Sequence, residues 1–346
     1  MRHKMSRLGV VALCGFLILS LSLSLVAAAT TLQVYVYIMN PLNPASGVKG
    51  AISDGHWVGE IPLKVGNDTD TVAISGEQTK GYCMNFNKTI SVGSTYPTHL
   101  GGVTDTAEWR AVSYILTWHN PVADSISGAV NQVAIWRMLN NTRGYDYWKE
   151  PWLSDDLDNS GNSLADMAYG KDVTREGDIF QWVEPVVGNM SSTGAVPGES
   201  ITFKAKIIMA NGTARAGVKV MFSANISPED TPLDSTYLNP TETHTDGDGI
   251  AEVTVTVPPD TQSGSKIEVK AYTKGVWPQQ YLDLDDDRRQ DLIGFGTSYE
   301  LTVSTDVWIL AFLFVIPEVP LGTLAAGVTF ALAFVFWKKG LRLNKT

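Results

Sequence analysis

Two apolar segments bracket the chain and confine whatever folds in water to the stretch between them. Residues 1–29 read as an export signal. Arg2, His3, Lys4 and Arg7 form a positive start, an apolar run extends from Leu8 to Val26, and Ala27-Ala28-Ala29 supplies small residues for cleavage. From Val307 to Trp337 the single charged residue is Glu318, and Lys338, Lys339 and Arg342 follow. That is the pattern of a membrane-spanning helix with a basic cytoplasmic stop. The expected division is a signal peptide at 1–29, a head at 30–185, a stalk at 186–305, a transmembrane anchor at 306–337 and a short basic cytoplasmic tail at 338–346. The protein is accordingly expected at the cell surface as a single-pass membrane protein with its N-terminal region outside.

Between these segments the composition changes near residue 185. Beyond it, Ser200–Ile207 alternates polar and apolar residues, Asn211-Gly212 makes a turn, and Val218–Phe222 follows as a strand. Ile250–Val257, Ile267–Tyr272 and Tyr299–Val303 continue the series, which reads as an all-β sandwich of immunoglobulin-like type. Before residue 185 the chain is rich in Trp and Tyr. Leu32–Tyr37, Ala51–Val58, Thr71–Ile74 and Tyr82-Cys83-Met84 are strand candidates. Glu108–Leu116, Ser127–Leu139 and Ser163–Tyr169 have helical spacing, with Ser127 as cap and Asn140-Asn141 as stop for the second. The expected fold is therefore an α+β head, an all-β stalk and one C-terminal transmembrane helix. The net charge of −10 suits a soluble exterior and argues against a nucleic-acid partner. Asn67, Asn87, Asn140, Asn189, Asn211 and Asn225 begin Asn-x-Ser/Thr triplets that can accept glycans.

Cys83 is the single cysteine outside the leader, which holds Cys14. An unpaired thiol in an exported chain is a liability and asks for a reason. On the second helix Ala129, Gln132, Ile135, Trp136 and Leu139 share one face, and Gln132 is its polar member. A buried side-chain amide needs a partner, because an unsatisfied one costs about 1–3 kcal/mol. A neighbouring backbone is the simplest candidate.

Tyr82-Cys83-Met84, the helix around Tyr114-Ile115-Leu116, and Gln132-Val133-Ala134-Ile135-Trp136 resemble the thioester domains of Gram-positive surface adhesins, whose second motif reads Thr-Gln-x-Ala. Asn131 stands where Thr is usual. The Thr245–Ala251 turn resembles those of bacterial and archaeal adhesin repeats, and Ile316-Pro317-Glu318-Val319-Pro320 before the apolar segment resembles archaeal surface-protein tails. The resemblance implies a bond between the Cys83 sulfur and the Gln132 side-chain carbonyl, opened by an amine on another surface. It implies a single-turnover covalent binder with no cofactor and no metal, and not a turnover enzyme. Tyr82, Trp109, Tyr114 and Trp136 are candidates to shield the bond from water.

Two other readings stand beside it. One is a cysteine hydrolase or transglutaminase-like enzyme with Cys83 as nucleophile and His99 or His119 as base. The other is a structural envelope protein with an inert Cys83. The Asp156–Gly161 run begins like a calcium loop but has Met167 at its twelfth position, and Asp283, Asp285 and Asp287 lack that loop's glycine. Both are expected to be solvated loops.

Overall fold

The structure is a computed structural model, and it describes residues 34–38, 50–53, 56–66, 78–85, 90–91, 93–120, 124–140, 153–184, 194–278, 280–284, 291–294 and 297–310. The first strands in the chain are β1 (Val34–Ile38), the hairpin β2–β3 (Gly50–Ser53 and His56–Gly59), β4 (Ile61–Gly66), β5 (Gln78–Cys83) and β6 (Thr95–Gly102). Three helices follow: α1 (Ala107–Trp118), α2 (Ser125–Leu139) and α3 (Asp155–Ala168).

Most of the described strands between Ile179 and Ile309 form a sandwich. One sheet has the order β12 (Leu238–Asn239), β14 (Ile250–Thr256), β9 (Ser200–Ile208), β7 (Ile179–Glu184). The facing sheet runs β11 (Thr231–Pro232), β10 (Lys219–Ser227), β15 (Lys266–Trp277), β18 (Thr297–Ile309), β8 (Gly194–Ala195), with β13 (Glu242–His244) also on β10. Alternation fills the space between them. Phe203, Ala205 and Ile207 of β9 point inward with Val220, Phe222, Val269 and Ala271 of the other sheet, while Lys204 and Lys206 take the opposite face.

The head is a closed barrel with the order β1-β4-β5-β17-β16-β6, and two of its strands come from the far side of the sandwich. Strands β15 and β18 form a long hairpin, paired from Lys266↔Trp308 to Trp277↔Thr297. Its tip carries β16 (Gln280–Leu284) and β17 (Leu292–Gly294). β16 pairs with β6, Leu282 opposite Leu100, and β17 pairs with β5, Leu292 opposite Cys83. Strand β7 thus joins the sandwich from Ile179, ahead of the boundary expected at 185/186, while β16 and β17, expected in the stalk, pair into the barrel of the head. Without the inserted strands, β5 and β6 would expose unpaired edges, which the hairpin tip covers. The junction is tied further by the Val276 N–H donating to Thr117 Oγ1 (2.8 Å) and by the Arg175 guanidinium 3.4 Å above the Trp277 ring.

The helices have identifiable starts. Thr106 caps α1, and Asp124, not Ser127, caps α2 by accepting the Ser127 N–H at 2.8 Å. The expected stop at Asn140 is the observed C-cap. Helix α3 begins at Asp155, eight residues before the expected start. Ser154 caps it, and Asp155, Asp156 and Asp158 favour its positive end. The Asp156–Gly161 run is therefore helical and not a loop, and Asp158 is engaged in an ion pair with the fully buried Arg137 of α2. Gly161 lies against Val133, which lets α3 approach α2 closely.

Among the described residues no helix is long and apolar enough to cross a membrane. The leader at 1–29, the Thr71–Ile74 strand and the tail at 338–346 lie outside the described residues. So does the expected anchor from residue 311 onward. Its first residues are instead the end of β18, where Val307 and Ile309 are buried in the sandwich core.

Candidate functional site

Successive residues of β5 face opposite sides of the barrel wall. Tyr82 joins the apolar cluster of Trp109, Tyr114 and Ile115 from α1, while Cys83 joins the cluster of Val58, Leu63, Ala129, Val133, Trp136 and Leu292. Of the four proposed shielding residues, Trp136 alone shares the cysteine's cluster; Tyr82, Trp109 and Tyr114 are all buried, on the other side. The cover over Cys83 includes Leu284 and Leu292 from the hairpin tip and Leu153 and Leu157 at the start of α3. These aliphatic residues carry no local sequence signal that ties them to Cys83.

The ladder explains what Gln132 does. The Met84 N–H donates to the Asp291 carbonyl at 2.8 Å, so Tyr82 and Met84 direct their backbone groups toward β17. The Cys83 N–H and C=O point the other way, toward β4, whose pairing with β5 ends at Ile61↔Gly81. Gln132, 49 residues away in sequence, fills that gap. Its Oε1 accepts the Cys83 N–H at 2.9 Å, and its Nε2 donates to the Cys83 carbonyl at 2.7 Å. The bond to a neighbouring backbone expected for a buried glutamine is present, and the backbone is that of the cysteine.

Two more amides of α2 grip the same strand. Asn131 Nδ2 donates to the Tyr82 hydroxyl at 3.4 Å and to the His119 carbonyl at 3.0 Å. Asn140 Nδ2 donates to the Met84 carbonyl at 3.2 Å. The sequence marks Asn140 as a helix stop and Asn131 as a departure from the thioester motif; neither signal pointed to a clamp on β5. Helix α2 is buried on nearly every side, and even Asn131, Gln132 and Arg137 are covered.

Burial pushes the Cys83 thiol far above its ordinary range, and among the described residues no cation offsets it. A nucleophilic cysteine of a hydrolase needs the opposite, a thiolate favoured by a nearby imidazolium or other positive charge. His119 is the C-cap of α1 and half-buried, with its ring 6.3 Å from that of Tyr114. His99 lies on β6 opposite Asp283. An open cleft of about 460 Å³ lies along α2, lined by Trp118, His119, Asp124, Ile126, Val130 and Asn131 among others. Among the described residues no group of three or more His, Cys, Asp or Glu side chains forms a metal-binding cluster.

No protein-family model and no curated protein matches this sequence. Three solved structures are similar in outline. The thioester domain of the Enterococcus faecium TIE86 protein aligns at 13% identity and TM-score 0.29, over 80% of this chain and 97% of that one. The Bacillus anthracis TIE protein aligns at 12% identity and TM-score 0.31, over 81% of this chain and 49% of its own length. A conjugate transposon protein from Bacteroides vulgatus aligns at 10% identity and TM-score 0.20 over 42% of this chain. Scores this low describe a broad likeness and give no residue-by-residue correspondence.

Proposed function

We propose that the chain is a cell-surface protein that captures its target covalently through an internal thioester between Cys83 Sγ and Gln132 Cδ. The bond would form by attack of the sulfur on the side-chain amide. The C–N bond breaks, the thiol proton leaves with the nitrogen, and ammonia is released. An amine on a second surface then attacks the same carbonyl, forms an amide and returns Cys83 to a thiol. The protein is consumed, so it is a covalent binder that acts once, held to its own cell by the C-terminal apolar segment.

One observation carries the reading: the Gln132 carboxamide is hydrogen-bonded in both directions to the backbone of the chain's single exported cysteine. A poor electrophile and a buried thiol react only when held together, and fixed proximity is the largest contribution a fold can make to such a step. The Cys83 N–H on Oε1 also lies where negative charge develops during attack, so it would stabilise the tetrahedral intermediate.

The same two hydrogen bonds favour a second reading, in which Gln132 simply completes the ladder at Cys83 and the thiol is inert in a structural envelope protein. Intact mass of the full-length chain, purified with detergent and freed of glycans, separates the two. A mass about 17 Da below the sequence value, rising by about 31 Da with methylamine and freeing one thiol, is expected for the thioester. A sequence-value mass with a free thiol from the outset would leave the structural reading.

A further inference from the structure

We infer that the outward face at the end of β18, carrying Trp308 and Leu310, rests in the headgroup layer of a zwitterionic bilayer, so that the sandwich stands directly on the membrane that anchors the chain. The inference rests on the attachment by the C-terminal apolar segment proposed above and is independent of the thioester. Val307 and Ile309 are buried in the core, so the strand's alternation turns Trp308 and Leu310 outward, where they are 46% and 48% exposed. Single exposed hydrophobic residues are ordinary on a protein surface. This pair is distinguished by its place. Nearer the head the same face of β18 is polar: Thr302 and Ser304 are exposed, and Asp306 holds the Lys266 ammonium at 3.1 Å. The face changes from polar to apolar between Asp306 and Trp308. Lys266 stands opposite Trp308 in the ladder, a pairing suited to a membrane boundary because the lysine stem is apolar while its charge stays in water.

The sequence beyond Leu310 supplies the occupant. Residues 311–316 are apolar without exception, and no polar spacer separates them from β18. The apolar run from 307 to 337 exceeds the about 20 residues that cross a bilayer core, so crossing leaves apolar residues over on the outer side. Three residues of extended chain reach at most ~10 Å, and the headgroup layer is about 5–7 Å deep on each side. Trp308 is therefore held beside that layer, where the amphipathic indole ring is favoured.

Charge decides the kind of lipid. Ser227 pairs with Lys266, which brings the end of β10 to the same end of the sandwich, and the exposed Glu229 and Asp260 line one cleft with Ser265 there. An anionic surface would repel these carboxylates over about a Debye length, ~10 Å, so the face fits headgroups without net charge. A symmetric second copy on the same face would bring the carboxylates toward their own equivalents.

The hairpin β15–β18 runs from this foot to the strands that cover Cys83, paired from Lys266↔Trp308 to Trp277↔Thr297. At ~3.4 Å per residue that is roughly 35–40 Å, which sets an upper bound on how far the hairpin lifts the head from the lipid.

The test uses the full-length chain, Trp308→Phe and Trp337→Phe, each reconstituted in phosphatidylcholine vesicles that are plain or brominated near the top of the acyl chains. Vesicle flotation is read first, then quenching of tryptophan emission by the bromolipid. All three proteins should float. Each variant should lose roughly half of the parent's quenching, because these two of the chain's 10 tryptophans are the ones placed at lipid. Quenching unchanged in Trp308→Phe but reduced in Trp337→Phe would overturn the foot and leave the anchor standing. A Trp308 emission that shifts with protein-to-lipid ratio in plain vesicles would assign the face to a second copy and equally overturn it. A parent that neither floats nor is quenched would remove both the foot and the membrane attachment beneath it.

Discussion

Gln132 lies across the free backbone of Cys83 as a neighbouring strand would, accepting its N–H at 2.9 Å and donating to its carbonyl at 2.7 Å. Because β4 stops pairing at Gly81, these two polar groups have no strand partner on that side. Each costs about 1–3 kcal/mol if left unsatisfied while buried.

Replacing Gln132 by Ala should therefore do two things. It should abolish the mass deficit and methylamine labelling, and it should lower the thermal midpoint by several degrees, since about 1 kcal/mol corresponds to roughly 2–4 °C in a domain of this size. Cys83→Ala should abolish labelling equally while leaving both backbone hydrogen bonds available. Differential scanning fluorimetry beside intact mass reads both effects. Labelling that survives either substitution would exclude a Cys83–Gln132 bond.

Leu292 faces Cys83 in the ladder and is fully buried. Leu292→Ala opens the cover that the hairpin tip lays over the sulfur, and core truncations of this kind cost about 2–5 kcal/mol. Thiol titration during storage should show faster appearance of free Cys83, through hydrolysis of the bond, than in the parent. An unchanged rate of thiol release would mean that water reaches the site by another path.

Gly161→Ala sets two effects against each other. Alanine is the better helix former by about 1 kcal/mol. Its Cβ, however, would stand 2.3 Å from Val133 Cγ1 and 2.5 Å from Val133 Cβ, and a β-branched side chain has little room to yield. Overpacking costs about 1–3 kcal/mol and should win, so the variant should be less stable in urea unfolding. A gain in stability would show that α2 and α3 can separate freely.

Asp105 gives a test of the junction in acid. Burial alone would raise its carboxyl, but hydrogen bonds and charge from Arg175 and Arg110 outweigh that and hold it at about 2. A depressed carboxyl contributes stability above its unfolded value near ~3.9, and that contribution is lost as pH falls from about 4 through about 2. Asp105→Asn should flatten the thermal midpoint over that interval and change it little in shape above pH 5. An acid limb identical in both proteins would assign the loss to other carboxylates.

Asn140 and Asn211 should differ as glycan acceptors. The Asn140 amide is committed to the Met84 and Trp136 carbonyls and half-buried at the α2 C-cap, whereas Asn211 sits exposed in a tight turn, where its Oδ1 accepts from the Thr213 N–H and hydroxyl. Glycopeptide mapping of protein from a glycosylating host should find Asn211 occupied and Asn140 bare. A glycan on Asn140 would mean that the clamp on Met84 forms after modification or not at all.

Much of this was legible locally. Alternation over Ser200–Ile207 predicts β9, and helical spacing over Ser127–Leu139 predicts α2, because burial on one side imposes period 2 on strands and 3.6 on helices. One cysteine beyond the N-terminal apolar run and a glutamine on an apolar helix face are enough to nominate Cys83 and Gln132. The start of α3 was missed because its cap and acidic first turn look like a calcium loop when read without the helix behind them. Tertiary structure decided the rest. That β17 should leave the sandwich and pair with the cysteine's strand leaves no periodic trace, since strand order depends on which open edge a distant segment can cover. The sequence alone singled out Cys83 and Gln132; the end of the β4–β5 pairing at Ile61↔Gly81 and the packing of α2 against β5 decided that the Gln132 amide meets the Cys83 backbone, because a strand's unpaired N–H and C=O must find a partner and the Gln132 amide is the one within reach.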